Sequence, residues 1–160
     1  MYEFQPDPAQ DCAAQYAELV RSARLLTEGE ADPIANMANL AALIWQYVPR
    51  LNWAGFYRVI GDELVLGPFI GKPACIRIAI GRGVCGVAAM SGQVQLVPDV
   101  HAFPGHIACD SASASELVVP VKRNGTVIAV IDLDSPEPAR FTQLDAEGMT
   151  ALAEAIAAVI

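Results

Sequence analysis

Apolar residues recur at two-residue spacing through the middle of this chain and at three- and four-residue spacing only towards its ends, which excludes an all-helical or all-strand domain. Short strand-like runs cover Asn52 to Ile60, Glu63 to Phe69, Cys75 to Ile80, Val94 to Val97, Glu116 to Lys122 and Thr126 to Asp134. Gly61-Asp62 and Asn124-Gly125 join two pairs of these runs, and Gly and Asn accept the positive φ that a tight reversal demands. Adjacent hairpins imply an antiparallel sheet. Asp32-Pro33 opens a helix with a capping acid and a proline at the first helical position; Ile34, Met37, Ala38, Ala41, Ile44, Trp45 and Val48 then form a stripe that Pro49 stops. Tyr16, Leu19, Val20, Ala23 and Leu26 mark an earlier helix. Thr142 can cap a last one carrying Met149, Leu152, Ala153, Ile156 and Ile160. The expected fold is α+β: one domain over residues 1–160, with a central antiparallel sheet of about six strands and the N- and C-terminal helices packed on one face.

A hydrophobic content of 54% over 160 residues supports a sizeable core. The net charge of −8 excludes nucleic acid as a partner, because neutralising phosphates needs clustered Lys and Arg. Arg77 and Arg82 interrupt the most apolar central segment, so no membrane span is expected. Met1-Tyr2-Glu3 opens with an acid and no apolar core follows, unlike a secretory signal, and the cytoplasm is the expected location.

Between the runs ending at Val97 and beginning near Glu116 lies a long loop that contains His101, His106 and Cys109. Long unstructured loops in compact domains are usually lids, binding loops or disorder, and Val100, Phe103 and Ile107 give this one apolar anchors. Taken alone, Cys109 can be a small buried hydrophobe, as most free cysteines are, or a reactive thiol. The spacing of Cys75, Cys85 and Cys109 matches no zinc clip: His106-x-x-Cys109 is one pair with no second pair to complete it. In a reducing compartment a static disulfide framework is not expected either, which leaves a thiol that cycles through sulfenic acid and disulfide. Cys12, in the first helix, reads as structural.

Glu116, Asp132 and Asp134 fall inside strand patterns, where carboxylates are costly unless a cation or a shared proton offsets their repulsion. A three-residue turn at Arg123-Asn124-Gly125 would pair Lys122 with Thr126 and set Glu116 opposite Asp132, gathering the acids on one face; a two-residue turn would scatter them. The bulged turn is therefore expected. Trp53 can be plain core or the wall of a ligand site. Gly81 to Met90 reads as a glycine-rich entry into a helical turn, without the features of a nucleotide-binding motif.

Asn52-Trp53-Ala54-Gly55-Phe56-Tyr57, Gly67-Pro68-Phe69, Gly83-Val84-Cys85-Gly86, Asp99-Val100, Phe103 to Asp110, Ser115-Glu116 and Ile131-Asp132-Leu133-Asp134-Ser135, in this order, resemble the free methionine-(R)-sulfoxide reductases, single GAF-type domains. The resemblance runs from about residue 30 to the C-terminus. It implies that Cys109 is the nucleophile and Cys75 the usual resolving cysteine, with Cys85 a third whose part is left open. It further implies that Trp53 and Tyr57 border the substrate, that Glu116, Asp132 and Asp134 hold its polar end and assist proton transfer, and that no metal or organic cofactor is needed. Thioredoxin is the expected reductant, free methionine sulfoxide the substrate, and a homodimer the assembly to test. The alternative is a GAF sensor that binds a small ligand without turnover.

Overall fold

The structure, a computed structural model, describes residues 4–105 and 110–160. Four helices and six strands follow in the order α1 (Cys12–Leu26), α2 (Pro33–Tyr47), β1 (Trp53–Ile60), β2 (Glu63–Gly71), β3 (Arg77–Ala79), α3 (Gly83–Ser91), β4 (Gln95–Val97), β5 (Ser115–Arg123), β6 (Thr126–Ser135) and α4 (Gln143–Ile156). The strands form one antiparallel sheet in the order β3-β2-β1-β6-β5-β4. This is the α+β architecture expected from the sequence.

Each long helix starts where a side chain satisfies its orphan N–H groups. Asp11 accepts from the Ala14 N–H, Asp32 from those of Ile34 and Ala35, and Thr142 forms a reciprocal capping box with Asp145. Because successive strand residues point to opposite faces, β1, β5 and β6 divide cleanly. Ala54, Phe56, Leu117, Val119, Ile131 and Leu133 face α1, α2 and α4, forming the larger core with Leu19, Leu40, Ile44, Met149 and Leu152. Trp53, Tyr57, Val118 and Val130 face the other way, under α3. The glycine-rich segment is thus a full helix, and it is the helix that lies over the second face, together with the connections that carry Ala74 and Val100.

Three local expectations are corrected. In α2 the buried stripe centres on Leu40 and Ile44 and includes Asn36 and Tyr47, while Ile34 and Trp45 are exposed to 41% and 37%. Asn36 is tolerated inside because its Nδ2 donates to the carbonyls of Glu30 and Val159. Strand β3 is shorter than the run beginning at Cys75: beyond Val65, strand β2 bulges at Gly67-Pro68, where proline has no N–H to offer a neighbour. Cys75 therefore lies in the connection before β3. The β5–β6 turn has two residues, Asn124 and Gly125, at φ of 51° and 80°, pairing Arg123 with Thr126. The extra residue comes later, at Ile128, since Lys122 pairs with Val127 but Val121 with Ala129.

A buried polar knot ties α1 and α4 to the connection before β1. The Tyr16 hydroxyl donates to Asp145 Oδ1 at 2.8 Å, the Arg140 guanidinium to the same oxygen at 3.2 Å, and Arg140 Nε to the Pro49 carbonyl. Burial pushes the Asp145 carboxyl up, but the hydrogen bonds from Thr142 and Tyr16 and the charge of Arg140 outweigh it, and the group titrates below the ordinary aspartate range. A depressed carboxyl stabilises the fold above its unfolded value and loses that contribution as pH falls through the folded one. Asp145→Asn should therefore lower stability at pH 7 by about 3 kcal/mol, or roughly 6–12 °C in Tm. Thermal denaturation from pH 7 to pH 2 checks this: the gap between wild type and variant should close only below about pH 4.

Candidate active site

The site lies where β1, β6 and β5 turn their α3-facing side chains towards one another. Trp53 pairs with Asp134 and Gly55 with Asp132 across β1 and β6; Glu116 pairs with Asp134 and Val118 with Asp132 across β6 and β5. Glu116, Asp132 and Asp134 thus share one face, as expected, but through the bulge at Ile128 and with Asp134 rather than Asp132 opposite Glu116. Val84 and Cys85 of α3 close the cavity from above, and Arg82, Pro73, Ala74, Asp110 and Ser113 contribute to its wall. Helix α3 approaches this closely because Gly86 has no side chain: a Cβ there would stand 2.5 Å from the Ala79 carbonyl oxygen.

The apolar end is an aromatic stack. The Trp53 ring lies 5.2 Å from that of Phe69 and 5.9 Å from that of Tyr57, near parallel to both, and Trp53 Nε1 donates to the Lys72 carbonyl. Gly55 and Gly71 make room for it: a Cβ on Gly55 would meet Phe69 Cβ at 2.4 Å, and one on Gly71 would meet Trp53 Cδ1 at 2.6 Å. The Tyr57 hydroxyl, raised above its usual range by burial and by the nearby acids, donates to the Cys75 carbonyl at 3.0 Å.

The polar end is a buried cluster of acids. Burial and mutual repulsion push Glu116 and Asp134 well above the ordinary carboxylate range. Burial raises Asp132 to about 6, held there by hydrogen bonds from the Cys85 thiol and the Glu116 carboxyl. Cys85 is itself raised by complete burial beside these acids. Among the described residues, none donates a hydrogen bond to Asp132 Oδ1, although it is buried. A buried acceptor left unpaired costs on the order of 1–3 kcal/mol, so the cavity is built to receive a donor.

In the cavity wall, Asp110 is held by the Ala112 N–H at 2.9 Å, by Asn52 Nδ2 at 3.2 Å and by Lys72 Nζ at 3.3 Å, which keep its carboxyl low despite its partial burial. Asn52 Nδ2 also donates to Ser113 Oγ. Asp110, Ser113 and Arg82 are wall residues that pattern analysis does not single out; their only sequence signal is position beside Cys109 and within the glycine-rich segment. His106 and Cys109 lie outside the described residues. Cys75 is disulfide-bonded, whereas Cys12 and Cys85 are free thiols.

Residues 23–160 match the GAF domain family. The chain is 50% identical over 137 residues to the free methionine-R-sulfoxide reductase of Escherichia coli, covering 86% of this chain and 83% of that protein. It belongs to the GAF-type free methionine-R-sulfoxide reductase family. Protein ZMO0507 of Zymomonas mobilis is 54% identical over 142 residues, with 88% of each chain covered. The free methionine-R-sulfoxide reductase of Neisseria meningitidis, solved in complex with its substrate, superposes with a TM-score of 0.93 at 42% identity over 99% of this chain and 95% of that one.

In this family member the cavity joins a flat aromatic wall to a cluster of acids whose pKa values burial raises. Such a site can pack a small apolar group against Trp53, receive a hydrogen-bond donor at Asp132 Oδ1 and give up a proton from a carboxyl whose pKa is raised. The geometry depends on Gly55. Gly55→Ala should displace both Trp53 and Phe69, costing about 1–3 kcal/mol of stability, a Tm fall of roughly 3–10 °C. Tryptophan fluorescence should report the altered stack in the folded variant, and an unchanged Tm and spectrum would show that the strands part without strain.

Proposed function

We propose that this chain reduces free methionine-(R)-sulfoxide to methionine in a thiol cycle recharged by thioredoxin. Cys109, as thiolate, bonds to the sulfoxide sulfur while a protonated carboxyl of the Glu116, Asp132 and Asp134 cluster donates to the sulfoxide oxygen; the resulting hydroxyl passes to the Cys109 sulfur as the new S–S bond breaks, so methionine leaves with that bonding pair and Cys109 becomes a sulfenic acid. Cys75 attacks that sulfur, water departs, and the Cys75–Cys109 disulfide is reopened by exchange with an external dithiol. The sulfoxide is reduced by two electrons and the two thiols are oxidised, so the cycle balances. Residues 1–160 would act as one domain in the reducing cytoplasm; no helix among the described residues is long and apolar enough to cross a membrane. Free methionine sulfoxide and thioredoxin are the proposed partners, and homodimerisation is left to direct measurement.

The observation that carries this reading is the buried carboxyl cluster with its unpaired Asp132 Oδ1, set opposite the Trp53 stack. One end suits a charged ammonium and the other the sulfoxide methyl. Cys75 supports the resolving role better than Cys85 does, because Cys75 is disulfide-bonded and Cys85 is a free, buried thiol whose raised pKa makes it a poor nucleophile. Cys85 then serves chiefly as a donor to Asp132.

Two measurements test the proposal. Cys109→Ser should form no methionine, whereas Cys75→Ser should complete about one turnover per subunit and then stall; full multiple turnover of Cys75→Ser with thioredoxin would move the resolving role to Cys85. N-acetyl methionine sulfoxide replaces the ammonium with a single uncharged N–H and should lose roughly a hundredfold in kcat/KM. Comparable kcat/KM for the two compounds would mean that the acids do not read the amino group.

A further inference from the structure

The thiol of Cys85 and carboxylate oxygens of Glu116 and Asp132 offer three ligand atoms, all within 4.8 Å of one another and all buried. They come from α3, β5 and β6, so no sequence motif links them. A tetrahedral zinc ion with Zn–S near 2.3 Å and Zn–O near 2.0–2.2 Å needs its ligands only about 3–4 Å apart, within reach of side-chain adjustments that leave the strands in register. A second observation points inward as well: Asp132 is 6% exposed, and its Oδ1 has no hydrogen-bond partner among the described residues.

We infer that Cys85, Glu116 and Asp132 form a binding site for a thiophilic divalent cation of the zinc class, with a fourth position open to the cavity. One thiolate with two carboxylates favours zinc or cobalt over magnesium or calcium, which prefer all-oxygen shells. As the ion enters, the Cys85 thiol proton and the proton held by Glu116 pass to solvent, leaving three anionic ligands around two positive charges. The ion takes the volume of the donor that Asp132 would otherwise receive. Such binding needs no redox change, and it is independent of whether the proposed reduction is correct.

Cobalt(II) reports the coordination directly. In a protein with Cys12→Ser, Cys75→Ser and Cys109→Ser, Cys85 is the only thiol, and circular dichroism establishes that the protein is folded. Titration with Co2+ should produce a thiolate-to-cobalt charge-transfer absorption together with visible bands of a four-coordinate ion, and Zn2+ should abolish both. Adding Glu116→Gln or Asp132→Asn should weaken the cobalt affinity by about tenfold or more, and adding Cys85→Ser should remove the charge-transfer band. Wild-type protein, with Cys75 disulfide-bonded, should gain Tm in Zn2+ but not in Mg2+. The inference is overturned if folded protein with Cys85 as its only thiol shows no charge-transfer band at millimolar Co2+. It is equally overturned if the band survives Cys85→Ser or is indifferent to both carboxyl substitutions.

Discussion

A single extra residue in β6 decides which side of the sheet carries the acids. The Asn124-Gly125 turn, continued without irregularity, would place Glu116 opposite Leu133 and so against the helices of the main core. Ile128 shifts the ladder by one position, which reverses the facing of everything beyond it, and Glu116 comes to lie opposite Asp134 with Asp132 on the same face. The β1–β6 ladder, unbroken from Trp53 to Arg58, independently aligns Trp53 with Asp134 and Gly55 with Asp132. Two ladders that share β6 therefore place the aromatic wall and the acid cluster, and a slip of β6 would dismantle both.

The two ends of the molecule respond to pH with opposite signs. Asp145, paired with Arg140 and Tyr16, is depressed and contributes stability that disappears on acidification. Glu116, Asp132 and Asp134 are raised; they bind protons more tightly folded than unfolded, so their contribution is largest below the ordinary carboxylate range and is lost as pH rises through their folded values, about 6 for Asp132. At neutral pH the knot at Asp145 stabilises the helical layer while the acid cluster burdens the sheet. Functional sites retain such a burden, since a carboxyl whose pKa burial raises is what proton donation near neutrality requires.

Packing around the cavity is close because three glycines remove side chains at the contacts. Gly55 and Gly71 admit the Trp53 indole, and Gly86 lets α3 settle on β3. Tyr57 then carries the effect outward: its ring extends the Trp53 stack while its hydroxyl fixes the Cys75 carbonyl. On the opposite wall, Asn52 and Lys72 hold Asp110, and the Lys72 carbonyl holds Trp53 Nε1. The connections before β3 and before β5 are thus tied to the first residues of β1.

Local chemistry alone determined much of this protein. Asp32-Pro33 and Thr142 cap helices because the preference of those residues acts over one turn, and alternation in the middle of the chain identifies the strands because a pleat has period two. The anomaly of Glu116, Asp132 and Asp134 was also legible, since acids in strand patterns need an explanation wherever the strands go. Tertiary structure decided the rest. Whether Ile34 or Asn36 faces inward depends on how α2 rotates against the sheet and on whether Glu30 and Val159 offer carbonyls, neither of which periodicity carries. The position of the bulge is a property of two paired strands, with Ile128 absorbing the shift that the turn chemistry of Arg123-Asn124-Gly125 leaves undecided. The contact of Cys85 with Asp132 joins a helix and a strand far apart in sequence, and it forms only because α3 crosses the face opposite the other helices.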